Sequence, residues 1–151
     1  MNNLKVQVEE LRIAGTIERA LDSFKSDALK EYVKEQRLSI TFSAALAGDE
    51  VLVQGEICGE LILDCCRCLE SFAFPLSIPI LQSYPAAQEE IDLEDEIRQL
   101  LLLHLPGKPL CNDACAGICT QCGKNRNKAS CSCPEQDPDH RWEKLKDILK
   151  K

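Results

Sequence analysis

No stretch of this chain approaches the run of about eighteen apolar residues that a membrane-spanning helix needs, the nearest being Leu100 to Leu103. The opening residues, Met1 to Glu10, have no apolar core and no small-residue cleavage site, so they do not read as a secretory signal. A glycine-rich phosphate loop, an internal repeat and a low-complexity segment are likewise missing. Histidine is scarce: His104 falls on an apolar helical stripe and reads as packed, and His140 sits near a helix start and reads as a surface residue. The acidic run from Glu89 to Glu96 reads as a solvated helix start rather than paired catalytic carboxylates. The expectation is a cytoplasmic chain with no membrane partner, no small-molecule substrate and no enzymatic activity.

Cysteine, by contrast, is abundant, with 10 in 151 residues. Six form the run Cys111-x3-Cys115-x3-Cys119-x2-Cys122-x8-Cys131-x-Cys133, and Cys65 and Cys68 stand upstream. In a reducing cytosol such pairs are metal ligands more often than disulfides. Charge divides the chain near the same place. Residues 1–104 carry 9 Lys/Arg against 19 Asp/Glu, whereas residues 105–151 carry 9 against 6, within a total of −7. The division suggests residues 1–105 as one unit and 106–151 as a cysteine-rich module, with any polyanion meeting the tail first.

In the acidic part, Leu38, Ile40 and Phe42 alternate with Ser39, Thr41 and Ser43, and Val51, Val53, Ile57, Leu61 and Leu63 keep the same period beyond a Gly48-Asp49 turn. A period of two marks half-buried strands. A third run, Phe72 to Ile80, has Pro75 and Pro79 on its other face and suits a sheet edge. Together these predict an antiparallel meander. Leu4 to Leu11 is expected to add a strand, and the spacing of Leu21, Phe24, Ala28, Leu29 and Tyr32 predicts a short helix within 20–35. A second helix is expected after an Asp92 cap, with Leu93, Ile97, Leu100, Leu101 and His104 on one stripe, ending at Pro106-Gly107. A last helix should follow Asp137-Pro138, with Trp142, Leu145, Ile148 and Leu149 as its apolar face. The fold class is therefore α+β, an antiparallel sheet with a few helices and a C-terminal zinc-binding module.

Cys119-Thr120-Gln121-Cys122-Gly123 has the form of a metal knuckle, two sulfurs on one tight turn with a glycine where positive φ is useful. With Cys131 and Cys133 it would make a four-thiolate zinc site. Cys65 and Cys68 lie where one strand should turn into the next, and with Cys111 and Cys115 they would make a second. A ribbon pairing Cys65 and Cys68 with Cys119 and Cys122 satisfies the spacing too. Cys58, on the polar phase of its strand, and Cys66, inside a knuckle, stand outside both sets. Cys115-x3-Cys119-x2-Cys122 also has the spacing that radical SAM enzymes use for a [4Fe–4S] cluster, but those enzymes need a large partial barrel for which this chain has no strands left. A cysteine-ligated iron–sulfur centre or thiol redox chemistry is the alternative, the latter without a surrounding βαβ unit. Lys124, Arg126 and Lys128 put three cations on the loop between the ligand pairs, a candidate contact for phosphates or RNA bases and equally a solubilising loop.

Cys65-Cys66-Arg67-Cys68-Leu69-Glu70, Asp95-Glu96-Ile97 and Leu101 to Pro106 lead through Pro109 to Cys111. Together with Cys115 to Asn125, Asn127, Cys131-Ser132-Cys133 and the Trp142 to Leu149 ending, they resemble the YceD family over roughly residues 50–151. The chain departs from that pattern at His140, where proline is expected. The resemblance implies a cytoplasmic factor needed for accumulation of large-subunit (23S) ribosomal RNA, without catalytic residues. Its partner would be the large-subunit precursor, through rRNA or a ribosomal protein, or proteins alone if it is an adaptor, which the net negative charge favours.

Overall fold

The computed structural model describes residues 4–134. In chain order they form β1 (Lys5–Gln7), α1 (Val8–Ala14), β2 (Thr16–Phe24), a 3₁₀ turn (Asp27–Leu29), β3 (Glu35–Ala47), β4 (Glu50–Asp64), β5 (Ser71–Pro85), β6 (Glu90–Asp92) and α2 (Glu94–His104). The long strands make a four-stranded sheet in the order β2-β3-β4-β5, every pairing antiparallel. The alternation visible in the sequence selects the core face. Leu38, Ile40, Phe42 and Ala44 of β3, Val51, Val53, Ile57, Leu61 and Leu63 of β4, and Leu76, Ile78 and Ile80 of β5 are all buried. Pro75 and Pro79 lie in β5, an edge strand, where a missing N–H need leave no partner unsatisfied.

Two inward positions of β4 are glycine, and larger residues of β3 stand opposite them: Phe42 faces Gly55 and Leu38 faces Gly59. Gly59 has φ +149°, and a Cβ there would lie 2.0 Å from the Arg37 carbonyl oxygen. A side chain at that position would force the two strands apart.

The inner face is closed by α1, α2 and a small β1-β6 pair, which contribute Val6, Val8, Leu11, Ile91, Leu93, Ile97 and Leu101 to one continuous core. The Asp92 carboxylate accepts from the Glu94 backbone N–H at 2.9 Å, satisfying one of the free donors at the start of α2. Ile97 and Leu101 take the buried stripe, and α2 ends at His104, before Pro106. His104 departs from expectation: it is exposed, with Nδ1 2.8 Å from the Leu100 carbonyl oxygen one turn earlier.

Two further expectations are corrected. The segment from Leu4 to Leu11 is extended only over Lys5–Gln7. At Val8 the chain turns into α1, which buries Val8 and Leu11 and ends where the Gly15 N–H donates to the Leu11 carbonyl at 2.8 Å. The helix expected within 20–35 is instead the end of β2 followed by a loop with one 3₁₀ turn. Pairing with β3 sets this conformation, with a register shift between Leu21 and Phe24, and the Gln36 side chain holds both the N–H and the carbonyl of Ser26 at 2.9 Å. Tyr32, expected on the apolar stripe, is exposed. The helix expected after Pro138 lies outside the described residues. Among the described residues, no helix is long and apolar enough to cross a membrane.

Candidate metal centre

The hairpin between β4 and β5 turns through Cys65 to Glu70, and its backbone bonding reappears in the tail. At the hairpin tip the Leu69 N–H donates to the Cys65 carbonyl, and the Cys65 N–H donates to the Glu70 carbonyl, both at 2.9 Å. In the tail the Gly123 N–H donates to the Cys119 carbonyl at 2.9 Å and the Cys119 N–H to the Lys124 carbonyl at 2.8 Å. The two turns are the same device built twice. The residue after the second cysteine is left-handed in both, Gly123 at φ +71° and Leu69 at φ +61°. Leu69 thus occupies the glycine position of its knuckle at a steric cost.

The tail returns to the hairpin after α2. Cys66 N–H donates to the Pro109 carbonyl at 2.9 Å, and the Arg67 guanidinium donates to the carbonyls of Asp113 and Cys115 at 3.3 and 3.1 Å. These contacts carry Cys111 and Cys115 to Cys68 and Cys65. The Sγ atoms of Cys65 and Cys115 are 3.8 Å apart and those of Cys68 and Cys111 are 3.6 Å apart. Cys65, Cys68 and Cys115 are buried, with Phe72 and Leu110 packed around them.

Within this group, Cys65, Cys68, Cys111 and Cys115, the sulfurs all lie within 4.8 Å of one another, and Cys119, Cys122, Cys131 and Cys133 form a second group by the same measure. Either group can hold a metal ion. A disulfide would bring two sulfurs to about 2.05 Å. A tetrahedron with metal–sulfur bonds of about 2.3 Å has edges of about 3.8 Å, close to the two separations in the hairpin group. The ribbon pairing of Cys65 and Cys68 with Cys119 and Cys122 is not the arrangement formed. Cys58, half-buried on β4, and Cys66, exposed at the hairpin tip, stand outside both groups.

Backbone donors make one sulfur in each group ready to ionise. N–H groups of Cys111 and Cys68 pull the Cys65 thiol down to about 6, and those of Cys122 and Gln121 pull Cys119 down to about 6. A partner sulfur in each group moves the other way. Cys111 is pushed up to about 12 chiefly by its contact with Cys68, and Cys133 up to about 12 chiefly by its contact with Cys122. Four sulfurs this close share their protons as a set, and a cation that displaces those protons relieves the repulsion among thiolates.

The expected basic loop is divided. Lys124 and Arg126 are exposed and make no ion pair with a described residue, whereas Lys128 Nζ lies 2.6 Å from the Glu70 carboxylate of the hairpin. Glu70 also accepts from Asn125 at 3.3 Å, and Lys128 and Asn125 together hold its carboxyl below the usual range. Glu70, Arg67 and Asn127 join the tail to the hairpin, roles that cysteine spacing does not reveal. Gly117 has a detectable signal as the small residue of a tight path: at φ +71° it passes so close that a Cβ would lie 3.1 Å from the Arg67 carbonyl oxygen.

A family model described as "Large ribosomal RNA subunit accumulation protein YceD" matches residues 79–149, which take in Cys111, Cys115 and all four cysteines of the second group. An Arabidopsis thaliana protein named "Large ribosomal RNA subunit accumulation protein YCED homolog 1, chloroplastic" is 38% identical over 56 residues, 37% of this chain and 17% of the relative. The Zea mays protein of the same name is 41% identical over 51 residues, covering 33% and 17%. An uncharacterized protein of Mycobacterium tuberculosis is 28% identical over 129 residues, 74% of this chain and 62% of the relative. The chain therefore spans less than two thirds of the length of each of these relatives. No solved structure is a significant match. Over residues 79–149, this chain is similar to the YceD family.

Proposed function

We propose that this chain is a non-enzymatic ribosome-biogenesis factor that supports accumulation of large-subunit (23S) rRNA in the cytoplasm, with a structural zinc ion in each four-cysteine group. The observation that carries the reading is the pair of four-sulfur groups, one lying wholly within the family-matched region and the other half within it. Four protein thiolates close a zinc site and leave no position for a reacting water, so the role that fits is to hold shape. The hairpin group would be held by Cys65, Cys68, Cys111 and Cys115, fixing the tail to the sheet. The second group would be held by Cys119, Cys122, Cys131 and Cys133, fixing the loop that bears Lys124 and Arg126. Depletion of the protein followed by rRNA profiling tests the function. A selective fall in large-subunit rRNA is expected, and unchanged subunit ratios would refute it.

The Lys128–Glu70 ion pair favours a protein contact as a second reading, because it leaves only two of the three loop cations free for phosphate. A salt-dependent RNA-binding assay separates the two. If RNA is the direct partner, replacing Lys124 and Arg126 with alanine lowers the salt slope by about 1.5 for single strands. If the partner is a ribosomal protein, rRNA accumulation still depends on the chain while no RNA affinity is measurable.

A further inference from the structure

The two cysteine groups meet through a side chain that belongs to neither. Asn127 stands on the loop between Cys122 and Cys131, and its Nδ2 donates to Cys115 Sγ of the hairpin group at 3.3 Å. Its carbonyl oxygen accepts from the Ala116 N–H at 2.8 Å. A backbone N–H can only donate, so this bond fixes the amide's orientation and turns the NH2 group to the sulfur. The second Nδ2 hydrogen is met by Asn125 Oδ1 at 2.9 Å, which also accepts from the Asn127 N–H at 2.9 Å.

The surrounding bonds tie the same loop to the hairpin. Asn125 and Lys128 hold Glu70, the Arg126 N–H donates to the Gly117 carbonyl at 2.8 Å, and the Ile118 N–H donates to the Arg67 carbonyl at 3.1 Å. Asn127 is therefore aimed at Cys115 only while the loop keeps its shape, and the proposed second metal centre closes that loop at both ends.

We propose that Asn127 is a positioning residue coupling the two centres, so that metal held at either one tightens metal binding at the other. A hydrogen bond to a ligating sulfur draws off part of its negative charge and fixes its direction, and losing such a partner typically costs about 10–100-fold in metal affinity. Coupling of this kind is reciprocal, because each centre stabilises the arrangement that the other requires. The proposal rests on the reading of both groups as metal centres.

The test is an anaerobic Co(II) titration of the full chain against a competing chelator, followed by the sulfur-to-cobalt charge-transfer band. The hairpin centre is identified as the component lost in a Cys68→Ser, Cys111→Ser double variant. Asn127→Asp keeps the acceptor for Ala116 and removes the donor to Cys115. It is expected to weaken the hairpin centre about tenfold or more and to move its band to longer wavelength. Cys131→Ser with Cys133→Ser is expected to do the same from the other side. Loss of the hairpin centre should weaken the second by a similar factor. Two bound cobalt ions with affinities and spectra unchanged in Asn127→Asp, together with an unchanged hairpin centre in the Cys131, Cys133 variant, would overturn the coupling and leave the metal reading standing. A parent chain that binds no cobalt would overturn both.

Discussion

Replacing Cys68 and Cys111 with serine would remove two ligands of the proposed hairpin centre, and the chain geometry sets the size of the effect. The two cysteines are 43 residues apart in sequence, and β5, β6 and α2 lie between them. Closing a loop of that length in an unfolded chain costs about 13 cal/mol/K, or about 4 kcal/mol at 25 °C. The folded chain has already closed it, because the sheet and α2 deliver both cysteine pairs to one place. On the proposed zinc reading, with zinc in excess, the folded state should therefore hold it about a thousandfold more tightly than the unfolded state does. Losing the centre should lower stability by about 4 kcal/mol, which at a urea slope of about 2 kcal/mol/M is a fall of about 2 M in midpoint. Cys119 and Cys133 are only 133 − 119 = 14 residues apart and enclose no part of the sheet, and the same relation gives about 3 kcal/mol for that shorter loop. Urea unfolding followed by far-ultraviolet circular dichroism, with zinc present throughout, measures both variants. A midpoint within about 0.3 M of the parent for Cys68→Ser, Cys111→Ser would refute the reasoning, as would a larger loss from Cys131→Ser, Cys133→Ser.

Other substitutions probe other links. Gly59→Ala places a Cβ 2.0 Å from the Arg37 carbonyl oxygen at φ +149°, and overpacking with backbone strain should cost about 2–5 kcal/mol. A melting temperature lowered by about 10 °C is expected, and a fall under about 3 °C would contradict the close approach of β3 and β4. Leu69→Gly relieves a left-handed leucine that is largely exposed, so zinc-loaded protein should gain up to about 1 kcal/mol, whereas Leu69→Val should lose stability. Equal midpoints for the two variants would show that the turn carries no strain. The Lys5 ammonium and the Gln7 amide hold the Glu90 carboxyl below its ordinary 4.5. A depressed carboxyl adds stability above its unfolded value, and that contribution is lost as pH falls through the folded one. Carbon-13 titration of Glu90 should show a midpoint below 4.5, and a midpoint at or above it would remove this link between β1 and β6.

The parts of the fold legible in the sequence are those where one physical signal dominates. β3, β4 and β5 alternate over enough residues that only a half-buried sheet satisfies them, and Gly48, left-handed at φ +66°, marks the first hairpin. β2 misleads because it carries a register shift between Leu21 and Phe24, so its apolar residues fall at three-residue spacing and mimic a helix. The passage from β1 into α1 was obscured because three extended residues and a seven-residue helix give neither period room to show. Pairing of β1 with β6 joins Val6 to Ile91 across most of the acidic segment, and no local pattern encodes so distant a partner. The cysteine groups were legible because two thiols per turn leave few ways to form sets of four. Asn127, Glu70 and Arg67 were not, because an amide, a carboxylate and a guanidinium on loops acquire their roles only when the tail meets the hairpin.

What the eight clustered sulfurs hold decides between a structural and a redox role for the tail. Metal analysis of protein purified without oxygen should find two zinc ions per chain and no absorption in the visible, one ion for each four-cysteine group. A brown protein loaded with iron, or a chain that retains no metal while its thiols remain reduced, would contradict it.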